Sequence, residues 1–212
     1  MKRLSVTVLF GLLLVLAHQT IAASQQRFPV LRYDQLTSEQ KEWADKIAAP
    51  PRNAKFSNPP YSTYLHNLDL AARVTAMSDY LRWNTALTPR VSEFTILVGA
   101  RHWTQQYEWH QHYPLALKAG VDKNVLNDMI EGKRPSQMME DESIIYELAT
   151  QLYRDKNVSD EVFDAAVAKF GERGVLDIVG ILGYYDFVSM TLIVSKVEPP
   201  EDTIPKLKPF QR

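Results

Sequence analysis

The sequence predicts one all-α domain of seven or eight helices. Apolar residues recur every three or four positions through most of the chain after residue 37, the spacing of amphipathic helices. No window alternates Val, Ile and Thr between turn-forming residues, as half-buried strands do. With 45% hydrophobic and 23% charged residues, the composition is that of a globular protein and argues against disorder, collagen-like repeats and a multi-pass membrane protein.

The first 23 residues are interpreted as a secretory signal peptide. Lys2 and Arg3 form a positive start, residues 4–17 form an apolar core, and a small-residue exit follows,. We expect cleavage after Ala22 or Ala23. The alternative, an uncleaved membrane anchor, is less favoured because the apolar run is shorter than the roughly 20 residues of a membrane span.

The absence of cysteine from the chain excludes several kinds of chemistry. Disulfides, thiolate nucleophiles, iron–sulfur clusters and zinc sites with cysteine ligands all need this residue. An exported chain without disulfides is typical of a bacterial periplasm, so we expect a periplasmic or secreted protein with no membrane attachment after cleavage. The formal net charge of −1 gives no electrostatic reason to expect nucleic acid as a partner.

Capping and breaking residues predict the helices of the first half. The sequence T-S-E-Q at residues 37–40 is a capping box that opens a short helix,, which ends at the prolines that follow. A longer helix is predicted over residues 61–83. Thr88 then acts as an N-cap before Pro89 at the first helical position. This next helix is predicted to run from residue 90 to about 113, where Pro114 should kink or restart it.

Four further helices are predicted from their caps and stops, over residues 122–132, 140–154, 159–171 and 174–196,. The last of them is apolar on nearly every side, apart from Asp177 and Asp186. A helix of this kind lies in a core or at a subunit interface, and two carboxylates disfavour a membrane span. We therefore expect a homo-oligomer.

A polar stripe on the predicted 90–113 helix holds the candidate site. At about 100° per residue, a sector of about 120° contains two carboxylates, an arginine, an amide and an imidazole, namely Glu93, Arg101, Gln105, Glu108 and His112. Glu108 and His112 are four residues apart and can touch, and such a pair can move protons near neutral pH. The alternatives are the solvated face of an amphipathic helix and, less favoured, a metal site.

The spacing of these residues resembles the carboxymuconolactone decarboxylase and alkylhydroperoxidase-D-like superfamily. The peroxidase branch of that superfamily has a glutamate followed by C-x-x-C-x-x-x-H, and here Glu93 and His112 match its first and last members. Gln105 and Glu108 stand at the two cysteine positions. The following Ala116 and Gly120, and the late Gly183-Tyr184-Tyr185, also agree with exported members that lack cysteine.

The resemblance implies how the chain is organised. Residues 61–197 would form the family's multi-helix bundle, preceded by an N-terminal helix and Pro-rich loop over residues 24–60 and followed by an irregular tail over residues 198–212. It also implies trimers or hexamers of trimers, and a pocket lined by the matched helix. Peroxiredoxin-type turnover needs an attacking and a resolving thiol, so that activity, although the family name suggests it, is disfavoured in this chain.

The decarboxylase branch implies a lyase that needs no cofactor and no metal. In this hypothesis His112 transfers a proton, Glu108 or Glu93 orients it, Arg101 binds the carboxylate of a small lactone or organic acid, and Gln105 donates to its oxygen. The alternative is a family member without catalysis that binds a small ligand or serves an assembly. Export argues against the cytoplasmic aromatic-catabolism substrate, so no specific lactone is named.

Overall fold

A computed structural model describes residues 26–200 and 205–210, which excludes the predicted signal peptide at residues 1–23. Within these ranges there are helices and no strands, which confirms the all-α prediction. After a 3₁₀ turn over Tyr33–Gln35, the helices are α1 Ser38–Ala48, α2 Tyr61–Tyr64, α3 Leu68–Trp83, α4 Pro89–His102, α5 Gln106–Ala119, α6 Lys123–Ile130, α7 Glu140–Asp155 and α8 Asp160–Ser195.

Most helix ends follow the capping residues that the sequence predicts. The Thr37 hydroxyl accepts from the Gln40 amide, and the Gln40 side chain accepts from the Thr37 amide at 2.9 Å, which makes a complete capping box. Thr88 and Ser159 cap α4 and α8 through their own hydroxyls. Gly120 ends α5 with a φ of +100°, a left-handed conformation that glycine adopts without a steric penalty.

Two long helices predicted from the sequence are each interrupted. The predicted 61–83 helix is split into α2 and α3, because Asn67 leaves helical geometry and its side chain caps α3 by accepting from the Leu70 amide. The predicted 90–113 helix is split at residues 103–105. There Thr104 has a φ of +49°, and the Gln105 side chain accepts from the Tyr107 amide at 2.7 Å to begin α5. Pro114 lies inside α5 without ending it.

Helix α4 lies at the centre of the molecule and packs on α5, α7 and α8. Its buried Phe94 and Leu97 join Trp109 of α5 and Ile178 of α8 in the main core. Each such side chain contributes about 1.5–3 kcal/mol when it is fully buried. A smaller cluster around Trp43 fixes α1 against the start of α3. The core therefore holds α4 and α5 side by side, which decides where their polar side chains meet.

The last helix combines buried and exposed apolar side chains. Gly171 has a φ of +69°, so the residues before and after it form two consecutive helical segments, as the sequence predicted. By length and composition α8 could cross a membrane, but half of its most apolar window is buried inside the molecule. Its carboxylates have protein donors: Asp177 accepts from the Tyr80 hydroxyl at 2.7 Å, and Asp186 accepts from Trp103 Nε1 at 2.8 Å.

The described part of the tail has no helix, in agreement with the prediction, but it is firmly docked. Gln106 and Leu207 exchange two hydrogen bonds, from Leu207 N to Gln106 Oε1 at 3.0 Å and from Gln106 Nε2 to Leu207 O at 2.9 Å. Trp109 Nε1 donates to Pro205 O at 3.0 Å. The Lys208 amide donates to Ile130 O at 3.0 Å. The tail thus crosses α5 and reaches the end of α6.

Candidate functional site

The candidate site is centred on a buried histidine that links α4 and α5. His112 Nδ1 lies 2.6 Å from Glu93 Oε2. The two side chains reach each other because α4 and α5 pack side by side, with the break at residues 103–105 turning the chain back. Since Glu93 is an acceptor when ionised, we infer that Nδ1 carries the proton and donates it to Glu93.

The other face of the same imidazole contacts a second carboxylate. His112 Nε2 is 3.5 Å from Glu108 Oε2, one helical turn earlier in α5. Glu108 is almost completely buried. His112 therefore lies between two acidic side chains, one on each ring nitrogen.

Two residues from other helices complete this cluster. Arg82 of α3 places Nη2 at 3.4 Å from Glu93 Oε1, and its Nη1 donates to the Tyr185 hydroxyl at 3.1 Å. The Tyr185 ring of α8 meets the His112 ring edge to face, at 5.1 Å between centroids. Four helices thus contribute to one connected set of polar side chains.

The two carboxylates have opposite pKa shifts. Burial alone would raise the pKa of Glu93, but the hydrogen bond and charge of His112, together with the charge of Arg82, hold that pKa below its usual value. Burial raises the pKa of Glu108, and the charges of His112 and Arg82 only partly oppose this. Carboxyl groups whose pKa values are driven apart are suited to different roles in proton transfer.

The basic and phenolic groups beside them keep their ordinary protonation states. Burial would lower the pKa of Arg82, but Tyr185 and Glu93 raise it above its normal value, so the guanidinium stays charged. Burial also raises the pKa of Tyr185, so its hydroxyl stays neutral. The cluster therefore offers one fixed positive charge next to a proton-carrying pair.

A cavity of about 200 Å³ opens onto this cluster. Arg82, Glu108, His112 and Tyr185 form part of its wall, whereas Glu93 lies behind His112. Aromatic side chains form much of the remainder, namely Tyr61, Trp83, Tyr107 and Tyr184. The Pro-rich loop reaches this cavity through Pro59, whose carbonyl accepts from the Tyr107 hydroxyl at 3.2 Å. The size and the flat walls suit a small planar molecule.

The structure brings three of the five predicted site residues together. Glu93, Glu108 and His112 meet as described, whereas Arg101 and Gln105 do not join them. Gln105 instead caps α5, and Arg101 lines a different cavity beside Phe210. The shared sector was derived for one continuous helix, and the turn at residues 103–105 removes that assumption because α4 and α5 have separate axes.

Sequence reasoning missed Arg82 and Tyr185 as site residues. Tyr185 belongs to the Gly183-Tyr184-Tyr185 motif, so a signal for it existed, although not for its contact with His112. Arg82 had no such signal, because a single arginine at the end of an amphipathic helix is an ordinary surface residue. In the described residues, no group of three or more His, Asp or Glu side chains has an arrangement that could hold a metal ion.

Comparison with known proteins bears on the fold. No protein-family model matches the chain, and no curated protein matches it significantly. Its structure is similar to a solved structure from Agrobacterium tumefaciens, a protein of unknown function described as a candidate antioxidant defence protein AhpD. The TM-score is 0.54 at 14% identity, over 66% of this chain and 97% of that one. The chain thus has the AhpD-like all-helical fold that its sequence resembles.

Proposed function

We propose that this protein is a cofactor-independent acid–base enzyme of the lyase type, acting on a small carboxylated lactone or organic acid. The observation that supports it is the position of His112 between two carboxylates with opposite pKa shifts, at the wall of a cavity that also holds the charged Arg82. A solvated helix face has no reason to collect these groups in a buried position. The absence of cysteine argues against the thiol peroxidase alternative.

The proton path follows from the hydrogen bonds of the imidazole. Glu93 accepts the Nδ1 proton and so fixes the ring and its tautomer, as orienting carboxylates do for catalytic histidines. The lone pair of neutral His112 is then on Nε2, the nitrogen next to Glu108. Glu108, which its environment favours in the protonated form, supplies a proton that Nε2 can relay. Glu93 is a positioning residue in this scheme.

The reaction begins with cleavage of the bond between the substrate carboxylate and its ring carbon. Carbon dioxide leaves, and the bonding electron pair is delocalised into the lactone as a dienolate. A proton from the Glu108 and His112 pair then adds to carbon, which balances the charge without an oxidant or a metal. Arg82 takes the role first assigned to Arg101, because its guanidinium can hold the negative charge on the carboxylate and later on the enolate oxygen.

Turnover of a panel of small lactone carboxylates, followed as release of carbon dioxide, tests this proposal. We expect one or more compounds to turn over, and His112→Gln to reduce kcat by about 100-fold or more, the usual contribution of general acid–base catalysis. His110→Gln is a matched control, since His110 lies on the same helix but does not line the cavity. Binding of a panel member without turnover would instead favour a non-catalytic ligand-binding protein.

Export and self-association are part of the same proposal. The N-terminal pattern supports export, and N-terminal sequencing of protein from a periplasmic fraction would test it: a start at residue 23 or 24 is expected. Exposed apolar side chains on α8 support an oligomer; Leu176 is 71% exposed and Val194 is 53% exposed. Light scattering should give a trimer or a multiple of it, and a monomer would contradict this part of the proposal.

A further inference from the structure

A second cavity, of about 220 Å³, is lined by Arg101 on α4. Arg101 is only 5% exposed. Its Nε and Nη2 are buried and have no hydrogen-bond partner among the described residues. Its Nη1 reaches only the Thr104 hydroxyl, at 3.4 Å. A buried arginine that lacks partners on one edge is costly, so its presence in a cavity wall calls for a ligand.

The edge that lacks partners is the edge with which other arginines of this chain bind carboxylates. Arg32 donates from Nε and Nη2 to the two oxygens of Asp34, at 3.0 and 2.7 Å. Arg154 holds Asp155 with the same two nitrogens, both at 2.7 Å. This planar pair of donors matches the two oxygens of a carboxylate. Arg101 offers the same pair, but no carboxylate of the described residues meets it.

The charges around this cavity favour an anion. No Asp or Glu is among the described residues that line it, whereas Lys133 contributes a positive charge that is exposed to solvent. Arg154 also lines the cavity, but its guanidinium is already paired with Asp155. Burial lowers the pKa of Arg101, and only Tyr146 opposes that effect. Arg101 is therefore the buried cation that an incoming anion would neutralise.

Aromatic side chains surround the guanidinium. The Phe210 ring stacks on Arg101 with its centroid 3.8 Å from Cζ, and the Tyr153 ring stacks on His102 at 3.8 Å with an angle of 5°. Phe210 is 49% exposed, at the end of the docked tail segment. Its ring can turn aside at little cost and admit a flat molecule to the Arg101 edge.

We propose that this cavity is a second binding site, for a small aromatic carboxylate. The carboxylate would accept two hydrogen bonds from Arg101 Nε and Nη2, and the aromatic ring would lie among Tyr146, Tyr153 and Phe210. This site is separate from the His112 cavity. The proposal therefore does not depend on the proposed lyase function.

Titration of the full chain with benzoate, followed by NMR and calorimetry, tests this site. Saturable binding is expected, with the largest chemical-shift changes at Gly132 and His102, whereas benzyl alcohol, which has the ring without the charge, should not bind. Arg101→Met and Arg101→Lys should each weaken benzoate binding by about tenfold or more, because hydrogen bonds to charged groups are worth at least that factor. The lysine variant keeps the charge but loses the planar pair of donors.

Two control variants distinguish benzoate binding at Arg101 from general attraction to positive charge and from binding in the His112 cavity. Arg154→Met removes a guanidinium from the same cavity wall that Asp155 already neutralises, and should leave benzoate affinity within about twofold of the parent protein. His112→Gln should leave the shift changes at Gly132 in place. Without benzoate, Arg101→Met should melt at the same or a higher temperature. Absence of saturable binding to the parent protein, or unchanged affinity in both Arg101 variants, would overturn the proposal.

Discussion

Glu93 and Glu108 contact opposite nitrogens of one imidazole ring, yet their pKa values shift in opposite directions. The difference comes from the partners of each carboxylate. Glu93 has a hydrogen bond from His112 and the charge of Arg82 on its other oxygen. Glu108 has no such close cation and is more deeply buried. One fold thus makes a stable anion on one side of His112 and a favoured acid on the other.

Replacing Glu108 with glutamine should make stability less dependent on pH. The raised pKa of Glu108 means that the folded state is favoured while the group is protonated, below its unfolded pKa near 4.3. That stability is lost as the pH rises through the folded-state pKa, by about 1.4 kcal/mol for each unit of elevation. Glu108→Gln should therefore match the parent protein near pH 4 and exceed its unfolding free energy at pH 7.

Urea unfolding at several pH values between 4 and 8 measures this difference directly. Glu147→Gln is a suitable control, because Glu147 is a partly exposed glutamate on α7. A Glu108→Gln protein that is less stable than the parent by the same amount at every pH would contradict the assignment of a buried, protonated carboxyl group.

Replacing Glu93 with glutamine should have the opposite pH signature. Its lowered pKa contributes stability that is present above the unfolded pKa and is lost as the pH falls through the folded pKa. Glu93→Gln should cost about 1–3 kcal/mol at pH 7, since a hydrogen bond to a charged group is lost. The deficit should shrink as the pH falls below 4. The same unfolding series checks this, and a deficit that grows on acidification would be inconsistent with an ionised Glu93.

Arg82 should matter more for activity than any other arginine on α3. Arg82→Met leaves His112 and Glu108 in place but removes the fixed positive charge, and loss of one such group lowers kcat by about 10²–10³. Arg73→Met is the control, because Arg73 lies on the same helix and forms only an exposed pair with Asp69. Steady-state kinetics on an active panel compound would show the contrast. Equal kcat values for the two variants would remove Arg82 from the mechanism.

Much of the fold could be predicted because it depends on local signals. Thr37, Thr88 and Gly120 indicate helix ends through side-chain hydrogen bonds or backbone freedom that act within a few residues. The turn at residues 103–105 has no comparable signal, since Thr104 is a residue that rarely takes a positive φ. It depends on the packing of α4 against α5, which a helical wheel does not contain.

The candidate site was predictable to the same extent. Glu108 and His112 share one helix, so their spacing already placed them together. The positions of Glu93 and His112 relative to each other came from the resemblance and not from a valid wheel, since the chain turns between them. Arg82 and Tyr185 join from α3 and α8, and contacts between distant segments depend on tertiary packing. Arg101 was assigned to the wrong cavity for the same reason.

Relief of the strain at Thr104 should stabilise the protein. A β-branched residue at a φ of +49° carries strain of about 1–3 kcal/mol, which glycine avoids. Part of that gain is offset by the greater freedom of glycine in the unfolded chain, so Thr104→Gly should raise the unfolding free energy by about 1 kcal/mol. Asn53 also has a positive φ, of 50°, but asparagine tolerates this conformation, so Asn53→Gly should change stability little. Urea denaturation of both variants makes the comparison, and a Thr104→Gly protein less stable than Asn53→Gly would mean that the threonine side chain holds the turn between α4 and α5.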